Sequence, residues 1–240
     1  MMSSKEINFL SIFRKQYIYK LKAYSTMVYW LIITQLIALL LFSGATSSIQ
    51  SSNEELSVSL RSCSSNIVLI FSFIWIMIIT SKLTTKQYNS IEIPLVTNRF
   101  SGNLSNIAFL TTACIFGGLT SSLCGILLRV IMYFTIDRSQ IVLDGFFLDC
   151  SDLLLGITVA ILYMILISAL SYLTGILVQL NGAFVIIIPV VIIGLLRIYT
   201  DFCASVFKYF AFEVSLPLFA LKVISMAIII FGASLFLSNR

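Results

Sequence analysis

Six stretches of this chain are apolar almost without interruption, at about residues 24–44, 63–80, 104–136, 153–178, 183–198 and 216–237. A helix needs roughly 20 such residues to cross a ~30 Å hydrocarbon core. Continuous apolar runs predict helices, because barrel strands would alternate apolar and polar positions over about ten residues. The pattern therefore predicts an all-α, polytopic membrane protein of about six transmembrane helices. The third run is longer than a bilayer requires, so its helix must tilt or continue past the membrane. The fifth carries Pro189 in its middle, which frees a backbone carbonyl and predicts a kink. Kinked helices line moving pathways or simply pack, and both roles stay open for Pro189.

Residues 1–23 have a different pattern. Lys5, Arg14, Lys15, Lys20 and Lys22 are interleaved with Phe9, Leu10, Phe13, Tyr17 and Leu21. Leu10, Phe13, Tyr17 and Leu21 fall on one helical face, which predicts an amphipathic helix in the headgroup layer with its cations towards anionic lipid. The alternative is a disordered basic tail. The chain thus divides into an interfacial helix, 1–23, and a six-span domain, 24–240. Ser43, Gly44 and Ala45 close the first run as a cleavage site would. The charged region is too long for a signal peptide, however, and the apolar run exceeds its usual 7–15 residues, so a retained span is expected.

Between the runs lie a Ser-rich polar loop at 46–62 with Glu54 and Glu55, a polar stretch Ser81–Asn103, and an acidic connection from Asp137 to Asp152. Gln179-Leu180-Asn181-Gly182 is a minimal turn, with Asn-Gly as its signal. Tyr199–Ser215 mixes charges and aromatics and suits an interfacial or re-entrant helix. Pro217 opens the last run, a position that tolerates proline. With the first residues cytoplasmic, the inner segments hold nine lysines and arginines against two acids, and the outer segments six against eight. That bias places both termini in the cytoplasm of a multi-pass cell-membrane protein.

Composition agrees: 59% of residues are hydrophobic and 10% charged, against roughly 45–50% and about 25% in soluble domains. Histidine is absent and the five cysteines form no C-x-x-C pair, so neither a catalytic centre, a metal site nor a cofactor site is readable. Cys114 and Cys124 fall inside a run, while Cys63, Cys150 and Cys203 stand near outer ends, where a disulfide is conceivable. Glu54-Glu55 lacks the histidines that would make it part of an intramembrane metalloprotease site. There is no phosphate-binding loop, and no soluble stretch could house a nucleotide-binding domain. The net charge of +5 is assigned to the lipid surface, with no nucleic-acid partner expected.

Ionisable residues deep in a span would mark a function, and almost none occur. Arg129, Arg197 and Lys222 lie towards outer ends, and the mid-bilayer polar residues are Gln35, Ser72 and Ser168. No acidic relay of the kind coupled carriers use is present. Gly117, Ser121 and Gly125 form a stripe of small residues at a spacing of four, with Gly118 and Ser122 beside it. Such stripes let helix backbones approach closely in lipid, here within the subunit, at a subunit interface or along a pore.

The layout resembles the type-2 family of ABC exporter permeases over nearly the whole chain. That family has an amphipathic elbow helix, six spans, a cytoplasmic helix between spans two and three that docks on the ATPase, and a re-entrant outer segment before span six. The counterparts would be residues 5–23, the six runs, Ser81–Asn103 and Tyr199–Ser215. The stretch from Asn89 to Arg99 is similar to the family's acid, apolar, proline, arginine pattern through Glu92, Ile93, Pro94, Leu95 and Arg99, although Pro94 and Arg99 stand further apart and Glu92 nearer the proline than is usual. The short length is similar to subunits of bacterial peptide exporters and self-immunity pumps. The resemblance implies a permease subunit for an amphiphilic cargo such as a peptide, lipid or drug. It implies a separate ABC-type ATPase as partner, and a homodimer or a pair with a related permease, meeting along the first and fifth spans. The alternatives are a non-transporting membrane immunity or assembly factor and the membrane scaffold of a vitamin-type importer.

Overall fold

The computed structural model describes residues 9–42, 47–53, 56–62, 66–85, 99–135, 150–198, 205, 209 and 215–238. The described residues of every apolar run are helical, apart from the short turns at Tyr24–Ser25 and Gly182–Ala183. The helices are α1 (Phe9–Ala23), α2 (Thr26–Phe42), α3 (Asn66–Leu83), α4 (Arg99–Thr135), α5 (Cys150–Leu180), α6 (Phe184–Ile198) and α7 (Leu216–Ser238). Their limits fall within a few residues of the apolar runs, because lipid leaves the backbone no partner but itself and helices satisfy that within one segment. The long third run is one continuous helix of 37 residues.

Four helices are long and apolar enough to cross a membrane: α3, Ser101–Ile131 of α4, α5 and α7. A fifth candidate is Ile12–Ala23 with Thr26–Leu41, taken as one span broken at Tyr24 and Ser25. The chain is a helical membrane protein with four to five candidate spans among its described residues. Two further apolar helices are shorter: α6 has 15 residues, about 22 Å at 1.5 Å per residue, and α2 has 17 and qualifies together with α1.

The connection expected to be a polar loop contains a strand pair. Strands β1 (Ser47–Asn53) and β2 (Leu56–Ser62) run antiparallel, from Ser47 opposite Ser62 to Asn53 opposite Leu56. Leu56, Val58 and Leu60 alternate with serines and Arg61, which is the period of a strand. Glu54 and Glu55 lie outside the described residues.

The chain divides into two compact units. One comprises Met1–Ser25, Ile76–Cys114 and Leu162–Arg240, the other Thr26–Trp75 and Ile115–Ile161. In the second unit Ala38, Val68 and Leu128 form a buried cluster with Leu39, Ile67, Phe71 and Cys124 against it. Trp75 Nε1 donates to the Met27 carbonyl at 3.1 Å, fixing α3 to the start of α2. Gly117, Ser121 and Gly125 are all buried, and beside them Gly118 meets α5. A Cβ there would lie 3.1 Å from the Ile161 backbone nitrogen and 3.2 Å from its Cα. That close approach is what the small-residue stripe permits.

In the first unit Tyr163 packs on Phe219 and Tyr172 on Phe231, so α5 and α7 meet through two tilted ring pairs. Gly175 lies against the Thr84 side chain just past α3. The predicted Asn-Gly turn joins α5 to α6: Asn181 Oδ1 accepts from Ala183 N at 3.1 Å and Asn181 O from Phe184 N at 3.1 Å. Pro189 stands inside α6 and is exposed, as are Val185, Ile186, Val190, Ile193 and Ile198. An apolar surface of that extent requires lipid or protein around it.

Replacing Gly118 with leucine forces α4 and α5 apart, at a cost of about 1–3 kcal/mol or more. Gly118→Leu should therefore melt several degrees lower in detergent than the wild type, whereas Gly232→Leu, with nothing within 4 Å of its Cβ position, should melt with it. Equal melting of the two variants would refute the close approach.

Candidate functional site

The first turns of α4 gather polar side chains from four helices of the first unit. On α1, Gln16, Lys20 and Tyr24 recur every four residues and are all buried, with Lys20 at 1% exposure. They meet Ser101, Gly102, Asn106 and Phe109 of α4, which are buried in turn. Lys20 Nζ donates to Gly102 O at 3.1 Å and to Asn106 Oδ1. Ser101 Oγ donates to Gln16 Oε1 at 3.0 Å, and one turn further the Tyr24 and Phe109 rings are 5.4 Å apart. Gln16 Nε2 is buried with no hydrogen-bond partner among the described residues.

Two asparagines extend the cluster. Asn106 Nδ2 donates to Tyr172 OH of α5 at 3.5 Å, and Tyr172 OH donates to Asn103 Oδ1 at 3.2 Å. Asn103 Nδ2 donates to Ser238 Oγ at the end of α7 at 2.7 Å. Residues 101–106 thus touch α1, α5 and α7 through hydrogen bonds. Ser171 Oγ adds a bond to the Met77 carbonyl of α3 at 3.3 Å.

Within the segment expected to be an interfacial helix, Phe9–Ala23 is helical and Lys20 is buried against α4. The buried positions of α1 are Gln16, Lys20 and Tyr24, while Leu21 of the expected apolar face is exposed. The physical cause is the polar stripe on α4: Gly102 O and Asn106 Oδ1 accept an ammonium better than any apolar side chain, and a buried cation must be hydrogen-bonded. Arg14, Lys15, Ile18, Tyr19 and Lys22 are exposed.

The second unit holds a smaller polar cluster. Gln35 Nε2 donates to Ser72 Oγ at 3.2 Å and to Thr120 Oγ1 at 3.1 Å, and Cys124 Sγ donates to Gln35 Oε1 at 3.4 Å. Of the three mid-bilayer polar residues picked out in the sequence, Gln35 and Ser72 therefore meet. Ser168 belongs to the first unit, where its hydroxyl donates to Ile165 O at 2.8 Å.

The expected coupling segment is placed only at its edge. Glu92, Ile93, Pro94 and Leu95 lie outside the described residues, and Arg99 is the first residue of α4. Most of Tyr199–Ser215 lies outside as well. Tyr209 is described, and Lys222 Nζ stands 3.9 Å from its ring centroid, a cation–π contact. Among the described residues no three His, Cys, Asp or Glu side chains gather as metal ligands would. No protein-family model matches this chain, no curated protein matches its sequence, and no solved structure matches its fold.

The two clusters should respond differently to truncation. Ser72 and Thr120 also donate to carbonyls of their own helices, Val68 O and Phe116 O, so Gln35→Leu strands few groups and should cost about 1 kcal/mol. Asn106→Leu removes an acceptor from a buried ammonium and should cost about 2–3 kcal/mol. Thermal unfolding in detergent checks this order, and a larger loss for Gln35→Leu would contradict it.

Proposed function

We propose that this chain is the membrane subunit of an exporter for an amphiphilic cargo, driven by a separate ATPase that acts on Ser81–Asn103. The observation that carries the proposal is the polar junction at the start of α4. Force applied to the segment that ends at Arg99 enters α4 where Ser101, Gly102, Asn103 and Asn106 are bonded to α1, α5 and α7. A push there moves four helices together rather than bending one. In the proposed mechanism Glu92 and Arg99 form a polar rim around Ile93, Leu95 and Val96, which seat in a groove of the ATPase. Closure of two ATPases then rocks two copies of the chain. The spans offer few charges to the cargo path, which suits an amphiphile because a buried unpaired charge would be costly.

In this scheme α2 and α6 complete a set of six crossings, with both termini cytoplasmic as the bias of lysine and arginine favours. The short α6 is accommodated by local thinning of the bilayer or by a second copy against it.

Two measurements test the scheme. Single cysteines at 83–100 should resist membrane-impermeant reagents added from outside, while cysteines at 50–58 should react. The reverse pattern would place the junction on the wrong side for a cytoplasmic ATPase. The protein purified from its native membrane in mild detergent should bring a nucleotide-hydrolysing chain with it. The double variant Glu92→Ala, Arg99→Ala should insert normally yet lose most of that chain, or hydrolyse ATP without transport. Native co-purification and a native transport rate in the double variant would refute Ser81–Asn103 as the coupling segment.

A further inference from the structure

The strand pair between α2 and α3 has two unlike sides. Residues opposite one another in an antiparallel pair share a side of the ribbon, and the side alternates along each strand. Ile49 stands opposite Leu60, Ser51 opposite Val58 and Asn53 opposite Leu56. These rungs place Ile49, Leu56, Val58 and Leu60, the four apolar residues of β1 and β2, on one side. The rungs between them pair Ser48 with Arg61, Gln50 with Ser59 and Ser52 with Ser57. The second side is therefore polar at every position. A two-stranded ribbon is only marginally stable in water by itself, so its apolar side calls for a partner surface.

The tethers of the ribbon supply that surface. Four residues separate Phe42 at the end of α2 from Ser47, and three separate Ser62 from Asn66 at the start of α3. With successive Cα atoms 3.80 Å apart, such tethers reach at most about 19 and 15 Å. Both helices belong to candidate spans, so the ribbon leaves the membrane where α2 ends and α3 begins. Apolar surface continues up to that point, because Leu40, Leu41 and Ile70 are exposed. Each strand has seven residues, about 23 Å at its usual rise. The headgroup layer beside the hydrocarbon is only about 5–8 Å thick. A ribbon standing upright would carry Leu56 and Val58 out into water, whereas a ribbon lying flat keeps all four apolar positions at the lipid. Charge supplies no attraction, since residues 47–62 hold Arg61 against Glu54 and Glu55.

We propose that β1 and β2 form an interfacial ribbon that lies flat on the bilayer, with Ile49, Leu56, Val58 and Leu60 against the lipid and the serine-rich side towards water. Its partner is the lipid surface itself, recognised through burial of apolar groups and not through headgroup charge. A ribbon held in this way fixes the depth at which α2 ends and α3 begins. It also presents a hydroxyl- and amide-rich surface to whatever approaches that side of the membrane. The proposal stands apart from the exporter scheme.

The test reads the period of two along β2. In full-length protein whose five native cysteines are replaced by serine or alanine, cysteines are introduced singly by Ser57→Cys, Val58→Cys, Ser59→Cys and Leu60→Cys. Each is labelled with a nitrobenzoxadiazole dye in lipid nanodiscs, which expose both faces of the membrane and make the result independent of orientation. A doxyl group on the lipid chains should quench the dye at 58 and 60 about threefold or more better than at 57 and 59, and aqueous iodide the reverse, as for an apolar side sunk about 5–10 Å into the interface. The pattern should be the same in phosphatidylcholine alone and with phosphatidylglycerol added. A second readout carries no dye. A water-soluble maleimide should modify Gln50→Cys, Ser52→Cys and Ser57→Cys about threefold or more faster than Ser51→Cys and Val58→Cys, for the same reason. Equal iodide quenching at all four labelled positions would show a ribbon in water and overturn the proposal. Shielding of 58 and 60 from both quenchers would place protein against the apolar side and overturn it too, as would loss of the pattern in phosphatidylcholine alone.

Discussion

A polar group in a lipid-facing protein has almost nowhere to go but to another polar group of the same protein. That constraint organises the described structure more than the apolar contacts do. Within the bilayer, leucine against leucine is hardly better than leucine against an acyl chain, so association depends on close packing and on polar partners. Both devices appear here. Gly118 brings α4 and α5 into near backbone contact at Ile161. Gln35 ties α2 to α3 and α4, while the cluster around Lys20 ties α1, α4, α5 and α7. In each cluster a side chain with several hydrogen-bonding sites, an amide or an ammonium, is shared among helices.

The apolar scaffold was legible in the sequence because its signal is strong and local. Uninterrupted hydrophobic runs give helices of nearly the expected limits, Asn181-Gly182 gives the turn between α5 and α6, and the Gly117–Ser121–Gly125 stripe marks buried positions. The polar junction was not legible, because its signal is split between distant segments. Lys20 reads locally as one more cation on a basic amphipathic helix. Ser101, Asn103, Ser105 and Asn106 straddle the boundary between a polar stretch and an apolar run, so half of the stripe looks like loop. The sign that could have found it is a helical spacing of small and amide side chains continuing into the run. The strand pair at 47–62 was likewise hidden by its serines, although Leu56, Val58 and Leu60 keep the period of two.

For function, the junction gives the proposed coupling segment a mechanical continuation. An isolated amphipathic helix at the surface would follow the lipid, and a helix pinned by a buried ammonium follows the protein. The start of α4 is then a place where a force on the segment before it would reach α1, α5 and α7 at once, as the proposed scheme requires.

The central claim is that α1 is docked through Lys20 rather than floating in the headgroup layer. Amide hydrogen exchange of the wild-type protein in nanodiscs tests it most directly. Docking predicts that the amides of residues 16–24 exchange as slowly as those in the first turns of α4, since both belong to one cooperative unit. Exchange of α1 within seconds, while α4 stays protected for hours, would show a helix free of the bundle and contradict the account.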